Sequence, residues 1–161
     1  MSLQLWMQEK IGNGKKIAIL GVGSELRADD AAGMYLIALL SSSLQDEPVL
    51  LIGGSTAPEN FTGVIKDYSP DVLLIVDAAH MDATPGEIRI LDTKNIGGLS
   101  FSTHMLPLPV MLNYLHMEVG CEIVCIGIQP HSIELGYDMC EEVKSGIEKL
   151  SDMITLILQR K

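Results

Sequence analysis

Short apolar runs alternate with amphipathic stretches along most of this chain. Lys16 to Gly21 (KIAILG), Val49 to Ile52, Asp71 to Ala78 (DVLLIVDA) and Ile123 to Ile128 are too short for helices and are bounded by glycine, proline or polar residues. Such runs read as strands covered on both faces of a parallel sheet. Glu87 to Leu91 instead alternates polar with apolar after Pro85-Gly86, which predicts a half-exposed strand antiparallel to its neighbour. Helical spacing follows Asp29-Asp30, where Met34, Leu36, Ile37 and Leu40 recur. It returns in Leu106 to Met117, with Pro107 and Pro109 in or before the first turn, and from Asp138 to Gln159, where Val143, Ile147, Leu150, Ile154 and Ile157 form one stripe. A weakly helical stretch also links Pro58 to Ser69-Pro70. The alternation predicts an α/β protein, a three-layer α/β/α sandwich around a mixed, mostly parallel five-stranded sheet.

Composition narrows the class. At 161 residues, 47% apolar and 20% charged, the chain suits one globular domain spanning residues 1–161, with residues 1–15 as a mixed-polarity N-terminal extension. No internal repeat or low-complexity linker interrupts it. A formal charge of −10 argues against nucleic acid, whose non-specific affinity rests on clustered Lys and Arg. The apolar runs are too short to span a membrane, and the N-terminus lacks a secretory apolar core, so a cytoplasmic location is expected. Cys121, Cys125 and Cys140 form no CxxC pair and are expected as free thiols, Cys125 as a small core hydrophobe.

Three residues carry the candidate chemistry. Asp30, Asp77 and His104 each follow a strand-like run or its connection. In open α/β sheets, ligands bind outside the carboxyl ends of strands, so three such side chains can meet. Two carboxylates and an imidazole suit a borderline divalent metal. Capping of the next helix explains one of Asp29 and Asp30, worth ~1 kcal/mol, but leaves the other unexplained. An ionised Asp77 closing a buried strand is costly unless it is hydrogen-bonded or bound to a cation. A loop histidine satisfied by Ser102 and Thr103 is the alternative reading of His104.

Competing sites are weaker. Gly21-Val-Gly23 begins like a dinucleotide fingerprint, but the third glycine position holds Leu26, and two acids at the helix start repel a pyrophosphate. No Gly-Lys-Ser/Thr loop is present, and neither Ser24 nor Ser55 sits in a G-x-S-x-G elbow. His80 follows the Asp77 strand as a supporting residue, and His116 and His131 lack acidic company. Glu25 and Glu59 stand near the site loops as solvated acids or as contacts for a basic substrate residue.

Taken in order, six segments resemble one family, the nickel-iron hydrogenase maturation endopeptidases. They are the glycine turn with its acid pair (Gly21 to Gly33), GGSTAPEN (Gly53 to Asn60), LLIVDA (Leu73 to Ala78), PGEIRI (Pro85 to Ile90), STHMLPL (Ser102 to Leu108) and GIQP (Gly127 to Pro130). GGSTAPEN and GIQP are most similar to the formate-hydrogenlyase-type branch. Three positions depart from the family pattern: Ser24 replaces a usual asparagine, and Ala28 and Ala31 stand where glycine is common.

The resemblance implies that Asp30, Asp77 and His104 are the nickel-contacting and catalytic residues. It implies an endopeptidase that removes a C-terminal extension from a hydrogenase large-subunit precursor, after a basic residue and only once nickel is inserted. The nickel then belongs to the precursor. The missing phosphate-loop motifs predict no nucleotide cofactor, and a single short domain acting on a large precursor is expected to work as a monomer. Lacking a convincing serine or cysteine nucleophile, the expected reaction is attack by water activated by metal or carboxylate, with a proton-sharing carboxylate pair as the variant. A non-catalytic, nickel-dependent checkpoint that only binds the precursor is the rival function.

Overall fold

Four of the apolar runs become parallel strands of one sheet. Three are buried as expected, whereas the Val49 run lies at the edge of the sheet and is only half-buried, because no strand covers its outer side. The computed structural model describes residues 1–93, 100–101 and 108–160. Its strands are β1 (Ile17–Val22), β2 (Val49–Ser55), β3 (Val72–His80), β4 (Ile88–Leu91), β5 (Ser100–Phe101) and β6 (Glu122–Ile128). Its helices are α1 (Leu3–Ile11), α2 (Ala32–Ser43), α3 (Thr62–Tyr68), α4 (Leu108–Val119) and α5 (Glu141–Gln159). Two single 3-10 turns, Ala28–Ala31 and Pro58–Phe61, lead into α2 and α3.

Five strands lie side by side in the order β2-β1-β3-β6-β4, while the short β5 pairs antiparallel with the end of β3 off this path. β2, β1, β3 and β6 are mutually parallel, and β4 runs antiparallel to β6. The mixed, mostly parallel sheet expected from the pattern is therefore the one observed. The antiparallel strand sits at the edge beside β6, which explains its half-exposed alternation.

Alternate residues of the central strands feed two cores. Ile17, Ile19, Leu74, Val76, Val124 and Ile126 meet α1, α2 and α5 on one face. Leu20, Leu73, Ile75 and Cys125 meet Ile65 of α3 and Met111, Leu112 and Leu115 of α4 on the other. A strand with a core on each face must be apolar at every position, as β1 is.

Residues 1–15 do more than the sequence pattern indicated. Ser2 caps α1 by accepting the N–H of Leu5, and Met7 and Ile11, one turn apart, are fully buried in the core shared with α5. Each such burial stabilises by roughly 1.5–3 kcal/mol, so the helix is part of the fold's stability. Leu3 and Trp6 pack partly buried against the same core, but Leu5 is exposed and Gln4, Gln8, Glu9 and Lys10 interrupt the apolar pattern.

Candidate active site at the carboxyl edge of the sheet

β1 and β3 are adjacent and parallel, yet their outgoing connections part company. From β1 the chain runs through α2 to β2 on one side, and from β3 it moves to the β6 side. The carboxyl ends of β1 and β3 therefore flank a topological switch point, where open α/β sheets leave a crevice for ligands.

Gly33 seats the start of α2 in that crevice. A Cβ there would fall 2.5 Å from the carbonyl oxygens of both Val22 and Val76, so only glycine lets the helix lie across β1 and β3 together. Asp30 precedes this contact by three residues, and Asp77 follows Val76 directly. The same close approach thus brings both acids to the edge of one strand pair. Both are buried.

The loop before α2 closes on Asp30. Its Oδ2 accepts the N–H of Ser24 at 2.9 Å, while Oδ1 is buried with no hydrogen-bond partner among the described residues. Gly23 adopts φ +129, and a Cβ there would collide with the Asp30 carbonyl at 1.9 Å. Ala28 takes the left-handed φ of 48°. A left-handed alanine costs roughly 1–2 kcal/mol, so the turn keeps the glycine-like shape under strain.

Helix capping does not account for either acid. The residue ahead of α2 is Ala31, which makes no side-chain cap bond. Asp29 instead accepts the N–H groups of His131 and Cys140 at 2.7 Å each and that of Ser132 at 3.1 Å, with the Cys140 thiol at 3.3 Å. It fastens the segment after β6 onto the Asp30 turn. Asp30 is left with an oxygen that no donor among the described residues reaches.

Asp77 lies on the β3 face shared with Leu73, Ile75 and Ala79, opposite Gly127 of β6. Cys125 is its near neighbour on that face. Burial, and then the negative charge of Asp77, push this thiol up to about 12. It is neutral at physiological pH and serves as core, as expected.

Gln129, a residue that the pattern marked only as the end of β6, is buried and occupied. Its Oε1 accepts the N–H groups of Met81 at 2.7 Å and Ala83 at 3.4 Å, and its Nε2 donates to the Pro130 carbonyl at 3.0 Å. The exit of β6 is thereby tied to the exit of the strand that carries Asp77. The signal that could have found it is the one used for Asp77: a polar residue closing an apolar strand must find partners.

His104 lies outside the described residues, as does most of the STHMLPL segment. Among the described residues, no three His, Cys, Asp or Glu side chains form a metal-binding group. Among the described residues the switch point thus carries two buried acids, Asp30 and Asp77, oxygen donors suited to a divalent cation or to acid-base chemistry. A cavity of about 620 Å³, lined by Gln8, Gly12, Glu47, Val49 and Arg160, opens at the opposite, amino-terminal ends of β1 and β2. It offers no paired acids at strand carboxyl ends.

Comparison with known proteins identifies the family and matches the fold. The family model for hydrogenase maturation proteases matches residues 34–157, a stretch that contains Asp77 and His104 and begins four residues after Asp30. The hydrogenase 3 maturation protease of Escherichia coli K12 is 37% identical over 131 residues, 81% of this chain and 83% of that protein. The crystal structure of a [NiFe] hydrogenase maturation protease, HycI, from Thermococcus kodakarensis superposes with a TM-score of 0.87 at 33% identity, covering 96% of this chain and 99% of the other. The solution structure of the endopeptidase HycI from Escherichia coli gives 0.75 at 34% identity, over 85% and 87%. No described helix is long and apolar enough to cross a membrane. On these matches the chain belongs to the hydrogenase maturation protease family and is a hydrolase of the peptidase class, related to the proteases of hydrogenase 3.

Proposed function

We propose that this chain removes the C-terminal extension of a nickel-iron hydrogenase large-subunit precursor after nickel insertion, and that the precursor's own nickel is what it recognises. Asp30, Asp77 and His104 hold the substrate's metal, which fixes the scissile peptide at the switch-point crevice. The observation that carries this reading is the buried Oδ1 of Asp30. A buried carboxylate oxygen without a donor costs stability, and a cation delivered by the substrate would compensate it. Imidazole and carboxylate leave coordination positions for the precursor's thiolates.

Water is the attacking group, activated by the metal or by a carboxylate. The buried thiol of Cys125 is pushed up to about 12 and supplies no thiolate for an acyl-enzyme. Three free cysteines accord with a reducing, cytoplasmic setting, and the enzyme acts as a monomer.

Incubation with nickel-loaded and with nickel-free precursor, followed by mass spectrometry, tests the reading. A mass loss confined to the loaded precursor is expected. A loaded precursor that binds but keeps its mass would mark the chain as a checkpoint and not a protease.

A further inference from the structure

The surface beside the Asp30 turn is apolar where a soluble protein is ordinarily polar. Leu26, Leu135 and Tyr137 are 71%, 62% and 67% exposed. They belong to two segments that bond to one another: Gly136 N–H donates to the Leu26 carbonyl at 2.9 Å, and Ala28 N–H to the Tyr137 carbonyl at 3.0 Å. Leu26 lies on the loop that closes on Asp30 through Ser24, and four residues of chain span at most about 14 Å. A cavity of about 350 Å³ opens alongside, bordered by Tyr137, His131 and Glu134 and floored by Asp29.

From this placement, and resting on the endopeptidase reading above, we infer that Leu26, Leu135 and Tyr137 form the docking surface for the body of the precursor. The patch borders the turn that carries Asp30, so a precursor seated in that crevice would have this surface beside it. Tyr137 beside the socket is the residue type that most often anchors such contacts, and Leu26 and Leu135 extend the apolar area around it. The rim selects the partner's charge: Glu25, Glu134 and Asp138 are exposed around the patch, so the matching surface carries Lys or Arg. A second copy of this chain fits poorly, because a two-fold contact would set this acidic rim against itself. The Asp29 carboxylate makes the surface stiff, holding the 131–140 segment against the turn through three backbone N–H groups.

The test compares wild type with Leu26→Ser, Tyr137→Ser and Glu134→Lys, all at exposed positions, by affinity for nickel-loaded precursor and by cleavage of it. Each serine variant is expected to bind about tenfold more weakly with kcat retained, and Glu134→Lys to slow association in a salt-dependent way. Circular dichroism identifies any variant that fails to fold, and the others then decide. Affinities equal to wild type overturn the docking surface, and an altered sedimentation coefficient with unaltered affinity assigns the patch to a second copy. Wild type that binds the precursor without cutting it sinks the protease reading alone, leaving docking to be judged by the affinities. Wild type that does not bind overturns both.

Discussion

The Asp29 carboxylate accepts the backbone N–H of His131 at 2.7 Å, joining residues 102 positions apart in the chain. Its neighbour Asp30 accepts one N–H and keeps one oxygen unpartnered among the described residues. Adjacent acids of one turn therefore differ: Asp29 holds the fold, and Asp30, on the function proposed above, serves the site. Asp29→Ala strands the N–H groups of His131, Ser132 and Cys140, each formerly a charge-assisted bond. A loss of about 3–5 kcal/mol in urea unfolding is expected.

Asp30→Asn should behave in the opposite way. The amide keeps the shape and can still accept from Ser24, while the uncompensated charge disappears. Stability should stay within about 1 kcal/mol of wild type or rise, while precursor processing is lost. Urea unfolding beside a processing assay reads both. A variant that unfolds early and still processes would reverse the assignment of the two acids.

Gly33→Ala pits two effects against each other. Alanine improves helix propensity by about 0.8–1 kcal/mol. Its Cβ would stand 2.5 Å from two backbone carbonyls that cannot rotate away, and such overpacking typically costs 1–3 kcal/mol or more. The clash should win, with a net loss of stability in thermal unfolding and a drop in processing as α2 lifts off β1 and β3.

Most of the architecture was legible because strands with a core on both faces leave runs of apolar residues that nothing else explains. The DVLLIVDA run became β3, and the alternating run after Pro85-Gly86 became the antiparallel edge. α1 was not legible, since only Met7 and Ile11 are fully buried and four polar residues mask the stripe. At the site, Asp30 and Asp77 could be read from where they fall after strands. The division of labour between Asp29 and Asp30 could not, because Asp29's partners lie beyond position 130 and only the folded chain brings them near. Gln129, by contrast, carried a readable signal, a polar residue closing an apolar strand, and only its partners Met81 and Ala83 needed the folded chain. Ala28 shows that a residue disfavouring positive φ can still hold a left-handed turn when the surrounding bonds over-determine it.

Buried thiols set the alkaline limit of the fold. Cys125 is pushed from 9.0 to about 12 by burial and then by Asp77, so the native state holds a proton that the unfolded chain releases. Its contribution is whole below about pH 9 and is lost as pH rises from there toward 12, amounting to about 4 kcal/mol at most. Burial also raises Cys121 and Cys140, which add to the same slope. Unfolding free energies between pH 8 and 11 should fall for wild type and fall less steeply for Cys125→Val.

The central claim is that Asp77 works at the ion-binding crevice and is not there merely to finish a strand. Asp77→Asn, shown by circular dichroism to be folded, is incubated with nickel-loaded precursor and the product mass is recorded beside that of wild type. The account predicts the shortened precursor with wild type and full-length precursor with the variant. Normal processing by Asp77→Asn would contradict it.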